Sequence, residues 1–408
     1  MKLWLSVLVI IAENLLVFSV EAADVQAREF SRGAGRTVGD SVERRNLLFS
    51  NLGKDYNSFK NDLSQKYGFD YSLNISFLPQ RGAPNGQKTS LQTIISPSFT
   101  WTTFDNQYGT GTLNFSYSMT RYGGSSSKKI AKNIGVVAEI NDSDDVSNSF
   151  GELYYSYQFK GEQDWLTLAA GQFPIGNFDG GPYDSNQQVN FMNNALAQNA
   201  SSTYSTAGIG AFVQVTPNSD WSFAFGAQDA TNTDGISIRV NRLHEGHFAT
   251  FGYVAYTPDI KGLGNSQVSL LVYNQPWVKE QSQTTNGWSL NISQNLGDKW
   301  AVFGRINGVS GSVAEIEQSW VLGAVYNNPL DRNPLDQIGV AFAYNKVDPK
   351  AVGEPLVHGN EKVIEAYWAW GISKWMTLTP DIQFYIDPAL NQKSDYATVI
   401  GLRMSLFF

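Results

Sequence analysis

From Phe69 to the terminal Phe408 the chain repeats one pattern: segments of about ten residues in which apolar and polar side chains alternate, separated by clusters of Gly, Asn, Asp, Pro or Ser. Ile364, Ala366, Trp368, Trp370 and Ile372 alternate with Glu365, Tyr367, Ala369, Gly371 and Ser373. Pro380, Ile382, Phe384 and Ile386 alternate with Thr379, Asp381, Gln383 and Tyr385. Ile400, Leu402, Met404 and Leu406 alternate with Val399, Gly401, Arg403 and Ser405, and the same rhythm runs through Trp288, Leu290 and Ile292 and through Trp221, Phe223 and Phe225. Successive side chains of a strand point to opposite faces, so each segment has one apolar and one polar side. Such strands close into a soluble sandwich with the apolar side inward, or into a membrane barrel with that side against lipid. The period alone does not choose between them.

Three further features favour the barrel. Only 16% of the residues are charged, against about a quarter in an ordinary soluble domain, so the polar faces are built from Asn, Gln, Ser, Thr and Gly. Aromatic residues crowd strand ends at Trp101, Trp165, Trp221, Trp300 and Trp375, where amphipathic rings suit the two interfacial girdles of a barrel. The chain ends in a strand with a terminal Phe408, which resembles the signal read by the outer-membrane assembly machinery. Connection lengths agree. Short connections at 373–376, 297–298, 259–264, 216–219 and 161–163 interleave with long ones at 387–395, 346–360, 310–316, 275–284, 230–246 and 174–203, as periplasmic turns interleave with external loops. The reading is an all-β transmembrane antiparallel β-barrel over 69–408. About 17 segments qualify as strands, and a single-chain bacterial barrel needs an even number, so 16 wall strands are expected, and either one segment among 69–160 falls outside the wall or the strand boundaries are misplaced.

Ahead of the barrel, Lys2, the largely apolar stretch Leu3 to Val20 and the compact residues around Ala22 read as a secretory signal peptide over 1–22. Residues 23–68 form an N-terminal periplasmic segment. Within it Leu48, Leu52, Tyr56, Phe59, Leu63 and Tyr67 recur at spacings of three and four, which predicts an amphipathic helix bent near Gly53 and seated in the periplasmic mouth.

The chain resembles the OprB-type carbohydrate-selective porin family. The resemblance rests on Glu365-Ala366-Tyr367, on the run Leu378 to Pro388 with Asp381-Ile382-Gln383 at its centre, and on Gly401-Leu402-Arg403. Gly171-Gln172-Phe173, Phe191 to Leu196 and Asn333 to Gly339 extend it. It implies a 16-stranded passive pore in the outer membrane of a Gram-negative bacterium, favouring sugars and narrowed by charged and aromatic groups. Side-chain parity points independently to the same region. With Ile400 and Leu402 outward, Arg403 faces the lumen; with Ile382 and Phe384 outward, Asp381 and Gln383 face inward; with Ile364 and Trp368 outward, so does Glu365. Arg305 joins them if Val302 and Ile306 face lipid. A mixed lining of cations, carboxylates and amides can exchange hydrogen bonds with sugar hydroxyls, or its members can pair with one another and stiffen the wall. The connection 174–203 holds Phe178, Tyr183 and Phe191 among many amides, and a loop of that length can fold inward to constrict the pore or stand at the surface.

Several chemistries find no support. A net charge of −8 offers no basic face for nucleic acid, and without cysteine there is neither a disulfide framework nor a thiolate metal site. His244 and His247 lack a matching acidic set, and Asp142, Asp144 and Asp145 lack the glycine and terminal glutamate of a calcium loop. No cofactor, metal or catalytic group is expected. The partners expected are sugars and other small hydrophilic solutes, outer-membrane lipid and the assembly machinery; the oligomeric state is left open. The rival readings are a general hydrophilic-solute porin, an exopolysaccharide-export barrel, a barrel-borne enzyme acting on sugars or lipids, and a secreted all-β binding protein.

Overall fold

The computed structural model describes residues 54–84, 89–141 and 147–408. The signal segment, Leu48, Leu52, Gly53 and the acidic run Asp142, Asp144 and Asp145 lie outside the described residues. The alternating segments form the wall strands β1 (Phe69–Ala83), β2 (Thr89–Asp105), β3 (Gly109–Gly124), β4 (Ser147–Phe159), β5 (Leu166–Phe173), β6 (Gly208–Val215), β7 (Trp221–Asp229) and β8 (Phe248–Tyr256). They continue as β9 (Gly264–Gln275), β10 (Thr285–Leu296), β11 (Trp300–Ser310), β12 (Ile316–Asn327), β13 (Gln337–Val347), β14 (Asn360–Ser373), β15 (Met376–Ile386) and β16 (Tyr396–Phe407). Each pairs antiparallel with its neighbour in sequence, and β16 closes onto β1 in the register Asn74↔Phe407 through Ala83↔Thr398. Leu73 and Phe408 exchange both backbone hydrogen bonds, which carries the seam to the last residue. Closure leaves no unpaired edge, the condition for a sheet to cross hydrocarbon.

The seventeenth ladder is a two-residue pair, Asp259–Ile260, that folds back on the start of β9 inside a turn. It lies inside the connection expected at 259–264, and residues 69–160 hold four full wall strands, so the expectation that a segment there falls outside the wall is corrected: the strand boundaries, not an extra segment, account for the odd count.

The alternation sorts as membrane insertion requires. Ile364, Trp368, Ile382, Phe384, Ile400, Leu402, Val302 and Phe225 are exposed on the outer surface, while Glu365, Asp381, Gln383, Val399, Arg403 and Arg305 are buried inside. Trp101, Trp165, Trp221, Trp300 and Trp375 all lie toward the end that carries Phe69 and Phe408, so they form one girdle and not two. Trp288, Trp320 and Tyr396 supply exposed aromatic rings toward the opposite rim.

The helix α1 (Lys54–Tyr67) precedes β1. Its Tyr56 ring meets Tyr71 edge-on at 6.4 Å, and Lys60 Nζ stands 4.9 Å from the centre of the same ring. Tyr71 pairs with Phe99 on the face opposite the inward Ser72 and Ser98, and Trp101 donates from Nε1 to the Tyr67 carbonyl at 3.1 Å. The helix therefore meets the outer side of the barrel and does not sit in its mouth. The outer aromatic surface at that level offers an amphipathic helix an apolar seat, which the polar mouth lacks.

Candidate functional site

Two of the long connections at the end away from Phe69 and Phe408 fold into the barrel. The first, 174–203, crosses the lumen and contains the short helix α2 (Asn194–Ala197). No ladder satisfies the backbone of a segment threaded through a barrel, so the inward side chains of the wall must do so. Arg403 takes this role in β16. Its guanidinium donates to the Asn190 carbonyl at 2.7 Å, to Val189 at 2.8 Å and also to Gln187. Ser405 donates to the Gln188 carbonyl at 2.7 Å, and the Gln188 side chain bridges Ser76 and Ser96 on β1 and β2.

Glu365 accepts the backbone N–H groups of Met192 at 2.7 Å and Asn193 at 2.9 Å. Arg305 donates to the carbonyls of Asp184 at 2.8 Å and Ala195 at 3.0 Å, and pairs with the Asp184 carboxylate at 3.1 Å. Burial pushes the Asp184 carboxyl up from its ordinary value, and the Arg305 charge opposes that push. Gln383 accepts from the Asn193 amide at 3.2 Å and donates to Asp381 at 3.3 Å. Arg305, Glu365, Asp381, Gln383 and Arg403 thus share one inner wall, as parity implied, but all are buried beneath the loop and none faces open water. A planar five-donor fork suits a row of carbonyls, and a two-oxygen carboxylate suits adjacent N–H groups.

The aromatic residues divide. Phe178 is buried against the inner wall, with ring centres 4.6 Å from Phe251, 5.3 Å from Phe212 and 5.5 Å from Tyr253. Phe191 is buried between Phe303 and Tyr367 at 5.5 and 4.9 Å. These two rings fasten the loop and present no face to a passing solute. Tyr183 stays half-buried, and its hydroxyl donates to Asn295 on β10 at 3.0 Å.

The second inward connection, described over 125–141, carries a helix α3 spanning Ser127–Ile134 and the segment 136–141. The sequence reading assigned it no role. Glu361 on β14 accepts the N–H groups of Ala138 at 2.7 Å, Val137 at 3.0 Å and, from the loop 387–395, Ala389 at 3.0 Å. Gln80 and Gln383 both donate to the Ile140 carbonyl, at 2.8 and 2.9 Å. The two insertions meet where Asn194 N–H donates to Glu139 O at 3.0 Å. The missed signal was Ile130, Ile134, Val136, Val137 and Ile140, an apolar set too dense for an external loop and buried here.

With both insertions in place, half-exposed inward groups of the first strands gather toward the end that carries Phe69 and Phe408: Asp70, Ser72 and Asn74 of β1, Ser98 and Thr100 of β2 and Ser156 of β4. His244 and His247 lie apart, in the loop between β7 and β8. Among the described residues there is no group of three His, Cys, Asp or Glu placed to hold a metal.

Comparison with known proteins agrees with this geometry. Residues 239–408 match the family model described as carbohydrate-selective porin, OprB family. The chain is 36% identical to porin AaxA of Chlamydia abortus over 86% of its own length and 79% of that protein. It is 37% identical to porin AaxA of Chlamydia pneumoniae, over 88% and 85%. Among solved structures, the high-pH structure of Pseudomonas putida OprB superposes with a TM-score of 0.72 at 14% identity, covering 90% of this chain and 99% of that one. OmpF of Salmonella typhi follows the same wall with a TM-score of 0.55 at 12% identity, over 83% and 97%.

Proposed function

Because the chain belongs to the OprB porin family and is an outer-membrane porin, we propose that it admits small, mainly neutral carbohydrates down their gradient into a Gram-negative cell. One observation carries the proposal. The buried charges Arg305, Arg403, Glu365 and Glu361 are engaged by loop backbone, so the water-facing wall is left, apart from Asp70, largely to hydroxyls and amides such as Ser72, Asn74, Ser98 and Thr100. Groups that both donate and accept can replace the hydration of a sugar hydroxyl without holding it, whereas an ion gains little from them.

On this reading Arg305, Glu365, Asp381, Gln383 and Arg403 act on selectivity by fixing the inserted loop, and Tyr183 is the member of the aromatic set that a solute meets. The test is liposome swelling with sugars, amino acids and salts of matched size. Faster entry of sugars supports the proposal. Equal rates for sugars and amino acids would make the protein a general hydrophilic-solute porin.

A further inference from the structure

The wall is lowest at β5 and β6, which have 8 residues each. At about 3.4 Å per residue and a tilt near 40°, such a strand rises only about 21 Å, short of the roughly 25 Å apolar band of an outer-membrane barrel. Backbone exposed to hydrocarbon above these ends must find partners, or it cannot stay there.

The connection between β7 and β8 is bonded on both sides of these ends. Gly235 O accepts the Phe150 N–H of β4 at 2.6 Å, so the segment reaches from β7 across the ends of β6 and β5. Thr233 O accepts both the N–H and the hydroxyl of Thr206, at 3.3 and 2.8 Å, and Asn232 donates to Ser237 O at 3.0 Å. Gly235 makes the crossing possible. It has φ +61°, and a Cβ there would stand 2.8 Å from Thr206 Cγ2.

Beyond the crossing, Ile236, Ile238 and Val240 alternate with Ser237, Arg239 and Asn241, and the three apolar side chains are 50%, 40% and 65% exposed. Phe225 on β7, Phe248 on β8 and Trp277 after β9 are large apolar side chains exposed in the same way. The neighbouring charges are tied off. Arg239 pairs with Asp234 at 2.6 Å, and Arg242 pairs with Glu245 and Glu280 at 2.7 Å each.

We propose that the segment 232–240 completes the lipid-facing wall above β5 and β6, seating Ile236, Ile238 and Val240 in the acyl region of the outer leaflet. Its occupant is lipid, because the segment is bonded across the ends of β5 and β6, where the strands alone are too short to span the apolar band.

The chain has no cysteine, so single-site labelling is direct. Ile236→Cys, Ile238→Cys and Val240→Cys, with Phe225→Cys as the wall reference and Lys261→Cys as the turn reference, are labelled with an environment-sensitive fluorophore and reconstituted in phosphatidylcholine vesicles. Nitroxide-bearing phospholipid should quench the first three as it quenches Phe225→Cys, and iodide should quench only Lys261→Cys. Iodide quenching at all three loop positions without lipid quenching would overturn the proposal. So would shielding from iodide that disappears as the protein-to-lipid ratio falls, which would place a second copy of the chain on the row.

Discussion

Arg403→Ala removes the side chain that holds three successive parts of the inserted loop. The guanidinium is 1% exposed and grips the carbonyls of Gln187, Val189 and Asn190. A hydrogen bond to a charged group contributes about 1.5–3 kcal/mol, and removing one partner of a buried charged contact costs about 3–5 kcal/mol in all. If that loss falls on the docking of 187–190, the undocked population rises by roughly two to four orders of magnitude. The wall itself keeps its ladder. The variant should therefore insert normally yet show higher and noisier single-channel conductance. Removing the Arg403 charge also makes the inner wall less positive, which shifts the reversal potential in a salt gradient toward cations. That shift should shrink at 1 M salt, where the Debye length is about 3 Å. Arg403→Lys keeps the charge without the planar fork, so it should keep the reversal potential while raising the noise. A correctly inserted Arg403→Ala pore with unchanged conductance, noise and reversal potential would refute the reasoning.

Ile382→Arg places a charge on the lipid face and should cost about 2–4 kcal/mol near the midplane in reversible unfolding from vesicles; a loss under 1 kcal/mol would put that face away from the hydrocarbon. Glu361→Ala leaves the N–H groups of Val137, Ala138 and Ala389 without their acceptor, so hydrogen exchange at those three amides should accelerate while exchange in β14 does not. Phe178→Ala empties a packed aromatic site and should destabilise the docked loop by about 3–5 kcal/mol, read as faster proteolysis within 174–203 at an unchanged barrel melting point. Asp387 lies in the loop after β15, and the Lys362 ammonium beside it holds its carboxyl below the ordinary range. A lowered folded-state pKa stabilises above the unfolded value of about 3.9 and is lost as pH falls through the folded value, so exchange in 387–395 should quicken at acid pH, and Asp387→Asn should flatten that dependence.

The wall was legible because a strand's two faces are decided locally. Whether Leu402 or Arg403 points outward follows from neighbours one and two residues away, and the structure keeps that parity throughout β14, β15 and β16. What Arg403 touches was not legible, because its partners at 187–190 lie more than 200 residues away in sequence. Parity therefore gave the side of each charged residue, while its burial depended on a loop whose path no local rule fixes. The inserted segment 136–141 was overlooked for a related reason. Its apolar residues carry no strand period, and their packing against Tyr385 and Glu361 appears only once the barrel has closed. Phe178 and Phe191 suited a sugar by type, but the same apolar faces bind more firmly to the wall rings already present.

The most direct test of a pore narrowed by its inserted loop is the size dependence of sugar entry with and without that loop. Residues 176–202 are replaced by a short Gly-Ser link, and insertion is verified by β-type circular dichroism in detergent. Liposome swelling is then measured with a mono-, di- and trisaccharide series. Wild type should show a steep fall in rate along the series, and the shortened variant a shallow one with faster entry throughout. An equally steep fall in both proteins would place the constriction elsewhere and contradict the account.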